Sequence, residues 1–153
     1  MLDAAAAAAM FSDDPSTQNG AYIGDSLGYN HVPGRVVEAL GRDVVYGDRA
    51  LKNSVTVHAE VSAVLNSREA GDRWVETDAH VVWASCPHCA AVLVEHGITR
   101  LVTCLRTYQA TPERWREAVD RGLTILRDAG VKVEWFTEPL GVTIRFDGKE
   151  LEL

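Results

Sequence analysis

Two short segments carry residue types able to hold a metal ion and move a proton beside it: Val57-His58-Ala59-Glu60 and Cys86-Pro87-His88-Cys89. One imidazole and two thiolates make three ligands for Zn²⁺. The fourth position of the tetrahedron stays open for water, the arrangement of a catalytic rather than a structural zinc. Both cysteines fall at a predicted helix start, where the positive end of the macrodipole and free N–H groups favour the thiolate. Glu60 lies two residues beyond His58, so it points away from the ligand's direction yet stays within one turn of it. There it can take a proton from the water without coordinating the ion, and deliver it to a ring nitrogen and a leaving amine. The chemistry on offer is hydrolytic loss of an amine from a heterocycle.

Twenty-five residues separate Glu60 from Cys86, room for a helix, a turn and a returning strand that could set the two helix starts side by side. The patterning supplies those elements. Val57, Val61, Val64 and Leu65 share a face at spacings of three and four, and Gly71-Asp72 is the expected stop. Residues 80–84 read as a strand, Pro87 to Glu95 as a helix, and residues 101–105 as a second strand. Thr111 as N-cap and Pro112 at the first helical position predict a helix to about Asp128. Residues 131–135 form a third strand, and residues 142–146 and 150–153 a hairpin turning at Asp147-Gly148. Upstream, an Ala-rich helix runs from Leu2 to about Phe11, and a tight hairpin joins residues 21–23 to 27–29. A short helix from Pro33 to Leu40 closes at Gly41. Residues 42–55 are polar and irregular, with Gly47-Asp48-Arg49 as a turn, and read as a mobile loop. Strands alternating with helices over residues 57–135 predict an α/β sheet covered on both faces.

The 153 residues are 46% apolar and 24% charged, which suits a single domain with its own core. Fifteen basic against twenty-two acidic side chains give a net charge of −7. That balance argues against polymeric nucleic acid as a partner but leaves room for a single nucleotide, whose few charges one Arg or Lys can meet. No stretch reaches the ~20 apolar residues of a membrane helix. The Ala run follows Asp3, lacks a basic start and leads into Asp13 and Asp14, so an exported precursor is not expected. Three cysteines, two of them three apart, suit a reduced cytoplasmic chain with a metal or redox pair better than a disulfide framework.

H-x-E followed by a P-C-x-x-C segment is the signature of zinc deaminases. Here Ser85 stands where Pro usually precedes the first Cys. The residues from Ser12 to Ala21, Gly28-Tyr29-Asn30, Thr56 to Glu60 and Cys86 to Val102 resemble successive blocks of the deoxycytidylate (dCMP) deaminase family, in family order over roughly residues 12–105. The resemblance implies a three-layer α/β/α sandwich around a mixed five-stranded sheet of cytidine-deaminase type. It implies one Zn²⁺ per subunit on His58, Cys86 and Cys89, Glu60 as proton shuttle, and conversion of dCMP to dUMP with release of ammonia. Asn30 matches the family's sugar-contacting Asn, and the backbone at Ala59 and Ser85 is expected to face the base. Members commonly form homo-oligomers, and many respond to dCTP and dTTP. The segment His31-Val32-Pro33-Gly34-Arg35 departs from the Gly-Phe-Pro-Arg-Gly type of regulated members, which puts that control in question. From about Pro112 the resemblance is weak, so residues 111–153 are a divergent C-terminal helix, strand and hairpin.

Alternatives share some of these residues. The same chemistry could act on dCTP, a 5-substituted dCMP or a nucleoside, whereas the acidic charge disfavours adenosine in tRNA. The strand-to-dithiol run from Val82 to Cys89 also resembles a thioredoxin-like thiol–disulfide site using Cys86 and Cys89, with Pro139 to Lys149 as its Pro-strand-hairpin segment. Against it stand some eighty-five preceding residues, blocks without a role in that fold, and no exporting signal. A non-catalytic zinc module is the third reading. His88 is expected to project outward, and Cys104 to be a buried small side chain. His31, His80 and His96 are expected in structural or exposed places. Trp74, Trp83, Trp115 and Trp135 read as core and interface filler, while Tyr108, at a strand end, is expected to stack on the base. Arg35, Arg42, Lys52 and Arg106 are the candidates for a phosphate.

Overall fold

The protein is described from a computed structural model covering residues 1–69 and 77–153, with side chains for 1–67 and 77–153. The expected stop at Gly71-Asp72 and Trp74 lie outside the described residues. Helix α1 (Leu2–Ala9) leads to the antiparallel pair β1 (Gly20–Ile23) and β2 (Ser26–Tyr29). Then come α2 (Gly34–Leu40), α3 (Arg42–Gly47), α4 (Arg49–Val55), α5 (Ala59–Glu69) and β3 (Thr77–Val81). The alternation continues through α6 (Pro87–Glu95), β4 (Ile98–Cys104), α7 (Leu105–Gln109), α8 (Glu113–Asp128) and β5 (Lys132–Phe136). A separate hairpin, β6 (Thr143–Phe146) and β7 (Lys149–Glu152), closes the order.

The main sheet has five strands in the order β2-β1-β3-β4-β5. β1 pairs antiparallel with β2 and β3, and β3, β4 and β5 run parallel, so the sheet is mixed as expected. Side chains alternate across it. Ala79 and Val81 join Ile23 and Leu101 against α5, α6 and α8, while Val82 and Cys104 join α1 and the hairpin residues Ile144 and Phe146 on the other face. The third layer is therefore α1 supplemented by a β-hairpin.

Three expectations need correction. Residues 42–55 are helical, because Asp48 breaks the chain once and its carboxylate then accepts the N–H groups of Ala50 (2.8 Å) and Leu51 (3.0 Å), capping α4. The buried face of α5 is mostly small: Ala59, Ala63 and Ser67 are buried together with Val64, which was expected there, whereas Leu65 is 51% exposed. A Cβ at Gly28 would stand 2.2 Å from the Ala63 nitrogen and 2.4 Å from the Ala59 oxygen, so β2 lies directly on the α5 backbone there and only small side chains fit beneath it. Thr111 does not cap α8. Its hydroxyl donates to the Thr107 carbonyl (3.0 Å) and accepts the Trp83 Nε1–H (2.9 Å), with Pro112 at the cap position of α8. The hairpin turn falls at Asp147-Gly148 as expected, with φ of 53° and 75°.

Candidate functional site

The two segments meet. His58 precedes the first residue of α5, and Cys86 is the N-cap of α6, with Cys89 one turn on. His58 Nδ1 lies 3.3 Å from Cys89 Sγ and 3.6 Å from Cys86 Sγ, and the three donor atoms sit within 4.8 Å of one another. A tetrahedral zinc with bonds of about 2.0–2.1 Å to nitrogen and 2.3 Å to sulfur separates those atoms by about 3.6 Å, so the donor set fits the ion by chemistry and by spacing. Among the described residues this is the one His/Cys/Asp/Glu group so arranged. The hydrogen bond from Cys89, then that from His58, holds the Cys86 thiol well below its usual range against the opposing effect of burial. Donating that bond, together with burial, pushes the Cys89 thiol up.

Local structure explains the meeting. An isolated antiparallel bridge joins His31 to Val57, with N–H to carbonyl distances of 3.0 and 2.8 Å, and so ties the residue after Asn30 to the residue before His58. On the other side, α8 lies against the loop that delivers Cys86. A Cβ at Gly122 would stand 2.0 Å from the Ser85 carbonyl oxygen. Glu60 is 2% exposed, its Oε2 has no hydrogen-bond partner, and burial pushes its carboxyl up. A buried carboxylate oxygen without a partner, beside a donor set able to hold a metal, is the kind of group found where protons are moved.

A cavity of about 360 Å³ opens onto these residues, within the range of small-molecule sites. His58, Ala59, Glu60, Cys86 and Asn30 line it, so five of the expected site residues share one wall. Asn30 is buried, its Oδ1 accepting the Asn19 N–H (2.7 Å) and its Nδ2 donating to the Thr17 carbonyl (2.8 Å). Ser85 is buried and does not line the cavity, and its Oγ is unpartnered. Tyr108 does not line it either. Its hydroxyl donates to Asp120 (2.8 Å), and its ring packs on Trp135 at 4.7 Å under the Arg116 guanidinium, so the expected stacking role finds no support in its position.

The aromatic side chains on the cavity are instead Trp83 and Trp115; Trp83 also packs against the core, in keeping with its reading as filler. The spacing of Trp115, Val119, Gly122, Leu123 and Leu126 on one α8 face was the available signal. Of the four phosphate candidates only Lys52 reaches the cavity, and Arg49, missed in the supposed loop, joins it. Lys52 is buried, its Nζ 3.0 and 2.8 Å from the Asp14 oxygens, and Asp14 also accepts the N–H groups of Ser16 (2.8 Å) and Thr17 (3.0 Å). Arg42 is taken up by Asp13 at 2.8 Å.

The remaining residues are structural. His88 is exposed and outside the donor cluster. Cys104 is buried, as expected. Ring nitrogens of His31 and His96 lie 3.0 and 2.8 Å from the carbonyls of Tyr29 and Val92, and His80 is buried under Tyr22. No helix among the described residues is long and apolar enough to cross a membrane.

Comparison with known proteins agrees with this geometry. The family described as cytidine and deoxycytidylate deaminase zinc-binding region matches residues 1–105. An "uncharacterized deaminase in luxG 3′region" of Aliivibrio fischeri is 34% identical over 133 residues, which cover 82% of this chain and 83% of that one. The deoxycytidylate deaminases of Enterobacteria phages T2 and T4 are each 32% identical over 99 residues, 65% of this chain but only 47% and 46% of theirs. Among solved structures, the dCMP deaminase of cyanophage S-TIM5 in complex with dCMP and dUMP superposes with a TM-score of 0.66 at 17% identity, covering 88% of this chain and 93% of that one, a likeness of fold. The thiol–disulfide reading is set aside, since neither the fold nor the juxtaposition of His58 and Glu60 with the dithiol belongs to it. With its H-x-E and C-x-x-C segments joined at one cavity floor and 105 residues matched, the chain is a member of the cytidine and deoxycytidylate deaminase zinc-binding family.

Proposed function

We propose that this protein is a zinc-dependent hydrolytic deaminase of a cytosine deoxynucleotide, converting dCMP and water to dUMP and ammonia. One observation carries the reading: the buried carboxylate of Glu60, with its Oε2 unpartnered, stands beside the His58, Cys86 and Cys89 donors in a cavity that also presents Arg49 and Lys52. His58, Cys86 and Cys89 would hold the zinc, which supplies Lewis acidity that brings the pKa of a water to about 7. Glu60 takes the water's proton at Oε2 and passes it to N3 of the ring as C4 gains its new C–O bond. The same carboxylate then takes the remaining proton from the C4 hydroxyl and hands it to the departing amine, so that C4=O forms as the C4–N bond breaks and ammonia leaves. Ala59, with Ser85 just behind the wall, frames the base through backbone groups, and the Trp83 and Trp115 rings exclude bulk water. Asn30, anchored by Asn19 and Thr17, presents its remaining amide hydrogen and lone pair to the sugar. Arg49 meets the phosphate, beside the buried Lys52–Asp14 pair.

Three cysteines, two of them spaced as a metal pair, suit a reducing, cytoplasmic setting. Exposed apolar side chains near β2, Phe11 (73%) and Leu27 (44%), support assembly as a homo-oligomer. The test is metal analysis followed by ammonia release from dCMP, CMP, dCTP and 5-methyl-dCMP. Glu60→Gln is expected to keep its zinc and lose turnover by on the order of 10²–10⁴-fold, whereas Cys86→Ala loses the zinc itself. Normal turnover by Glu60→Gln would sink the mechanism.

A further inference from the structure

The C-terminal hairpin lies beyond the residues matched to the family, yet its turn is bonded to the cavity wall. Asp147 N–H donates to Thr17 Oγ1 (3.3 Å) and Gly148 N–H to the Ser16 carbonyl (2.8 Å). Upstream, Gln18 N–H donates to the Arg145 carbonyl (2.8 Å), Arg145 N–H to Gln18 Oε1 (2.8 Å), and Arg145 Nε to the Asp14 carbonyl (3.3 Å). Asp14, Ser16 and Thr17 all line the cavity. With positive φ at both turn residues, the tight hairpin fixes the Asp147 backbone beside the cavity wall.

That carboxylate takes two guanidiniums. Arg49 Nη2 is 3.5 Å from Oδ1, Arg114 Nη1 is 3.4 Å from Oδ2, and Arg114 Nη2 also bonds Oδ1. The bond from Arg114, reinforced by Arg49, holds Asp147 below the usual carboxylate range, so it is an anion at neutral pH. Arg49 lines the cavity, and Arg114 immediately precedes the cavity residue Trp115. Asp147 and Arg114 stand beside the cavity rather than lining it, and the carboxylate joins them to the lining residue Arg49, so two cations and one anion cluster at this edge. A single phosphate that reaches Arg49 meets a net positive charge. Each further phosphoryl group must compete with a carboxylate already paired to both guanidiniums.

Building on the nucleotide reading above, we propose that Asp147 is a specificity-determining residue: its carboxylate occupies the guanidiniums of Arg49 and Arg114 and disfavours nucleotides carrying more than one phosphate. Asp147→Asn isolates the charge, because Asn adopts positive φ readily and keeps the backbone bonds of the turn. Binding of dCMP and dCTP to the zinc-loaded protein is measured by calorimetry at low and high salt, with ammonia release followed for both. The wild type is expected to bind dCMP more tightly than dCTP. Asp147→Asn narrows that ratio by about tenfold at low ionic strength and by much less at high salt, as screening removes the repulsion. A merely structural role would weaken both ligands alike and leave the ratio insensitive to salt. An unchanged ratio overturns the proposal, as does a wild type that binds both equally. If Asp147→Asn does not fold, Arg114→Met serves: it leaves the rim one positive charge poorer, and a ratio that fails to widen overturns the proposal. No ammonia with a shifted ratio defeats the deaminase reading and leaves the selector standing. Ammonia with an unmoved ratio does the reverse.

Discussion

Gly122 sits where α8 crosses the loop that delivers Cys86, and replacing it with alanine tests the site's construction directly. In an exposed helix the exchange would stabilise by up to about 1 kcal/mol. Here the new Cβ would stand 2.0 Å from the Ser85 carbonyl oxygen and 2.9 Å from the Cys86 carbonyl carbon. Either α8 or the ligand loop must retreat by about 1 Å to restore ordinary contact distances. Overpacking of this kind costs about 1–3 kcal/mol, and a backbone carbonyl has less freedom to yield than a side chain. After the propensity gain is offset, a net loss of about 1–2 kcal/mol is expected, and a melting temperature lower by about 5 °C. The displacement also reaches the Cys86 sulfur, and metal geometry tolerates only about 0.2 Å. Zinc affinity should therefore fall, and turnover by on the order of 10²-fold. Thermal unfolding by circular dichroism and zinc competition with a chromophoric chelator read both effects. A Gly122→Ala protein that melts above the wild type and holds zinc equally well would refute the close approach of α8 to the ligand loop.

Two further outcomes follow from ion pairs. Lys52→Met leaves the buried Asp14 carboxylate with its two backbone N–H donors but no counter-charge. A loss of about 3 kcal/mol in urea unfolding is expected, largely recovered by adding Asp14→Asn; a loss below about 1 kcal/mol contradicts the pair's role. The hydrogen bond from Arg100 holds the Asp78 carboxyl below its usual range, more than its partial burial raises it. A depressed folded-state pKa contributes stability that is present above the unfolded value, about 3.9, and is lost as pH falls through the folded value. Arg100→Met should flatten the decline in stability below about pH 4, with the difference shrinking in salt because both side chains are about one-third exposed. Superimposable pH profiles would contradict it.

Much of the candidate site was legible along the chain because its parts are local. Cys86 and Cys89 are one helical turn apart, His58 and Glu60 two residues apart, and short spacings of this kind translate into geometry through backbone dimensions alone. The same holds for the Asp147-Gly148 turn, where two adjacent residues suited to positive φ specify the hairpin. The α/β alternation was legible too, since periods of 2 and 3.6 are written into the order of apolar residues. Other features depend on which surfaces meet across the fold. The small face of α5 answers to Gly28 on a strand thirty residues away, so a pattern search seeking bulky residues chose Leu65 wrongly. Residues 42–55 looked like a loop because their two short helices carry little periodicity, and that hid Arg49. Trp115 and Tyr108 were ranked by distance from a strand end, yet the packing of α8 turned one toward the cavity and the other toward Trp135. Distant pairings of this sort are set by the sum of many weak contacts over the whole chain, and no short stretch of residues carries that sum.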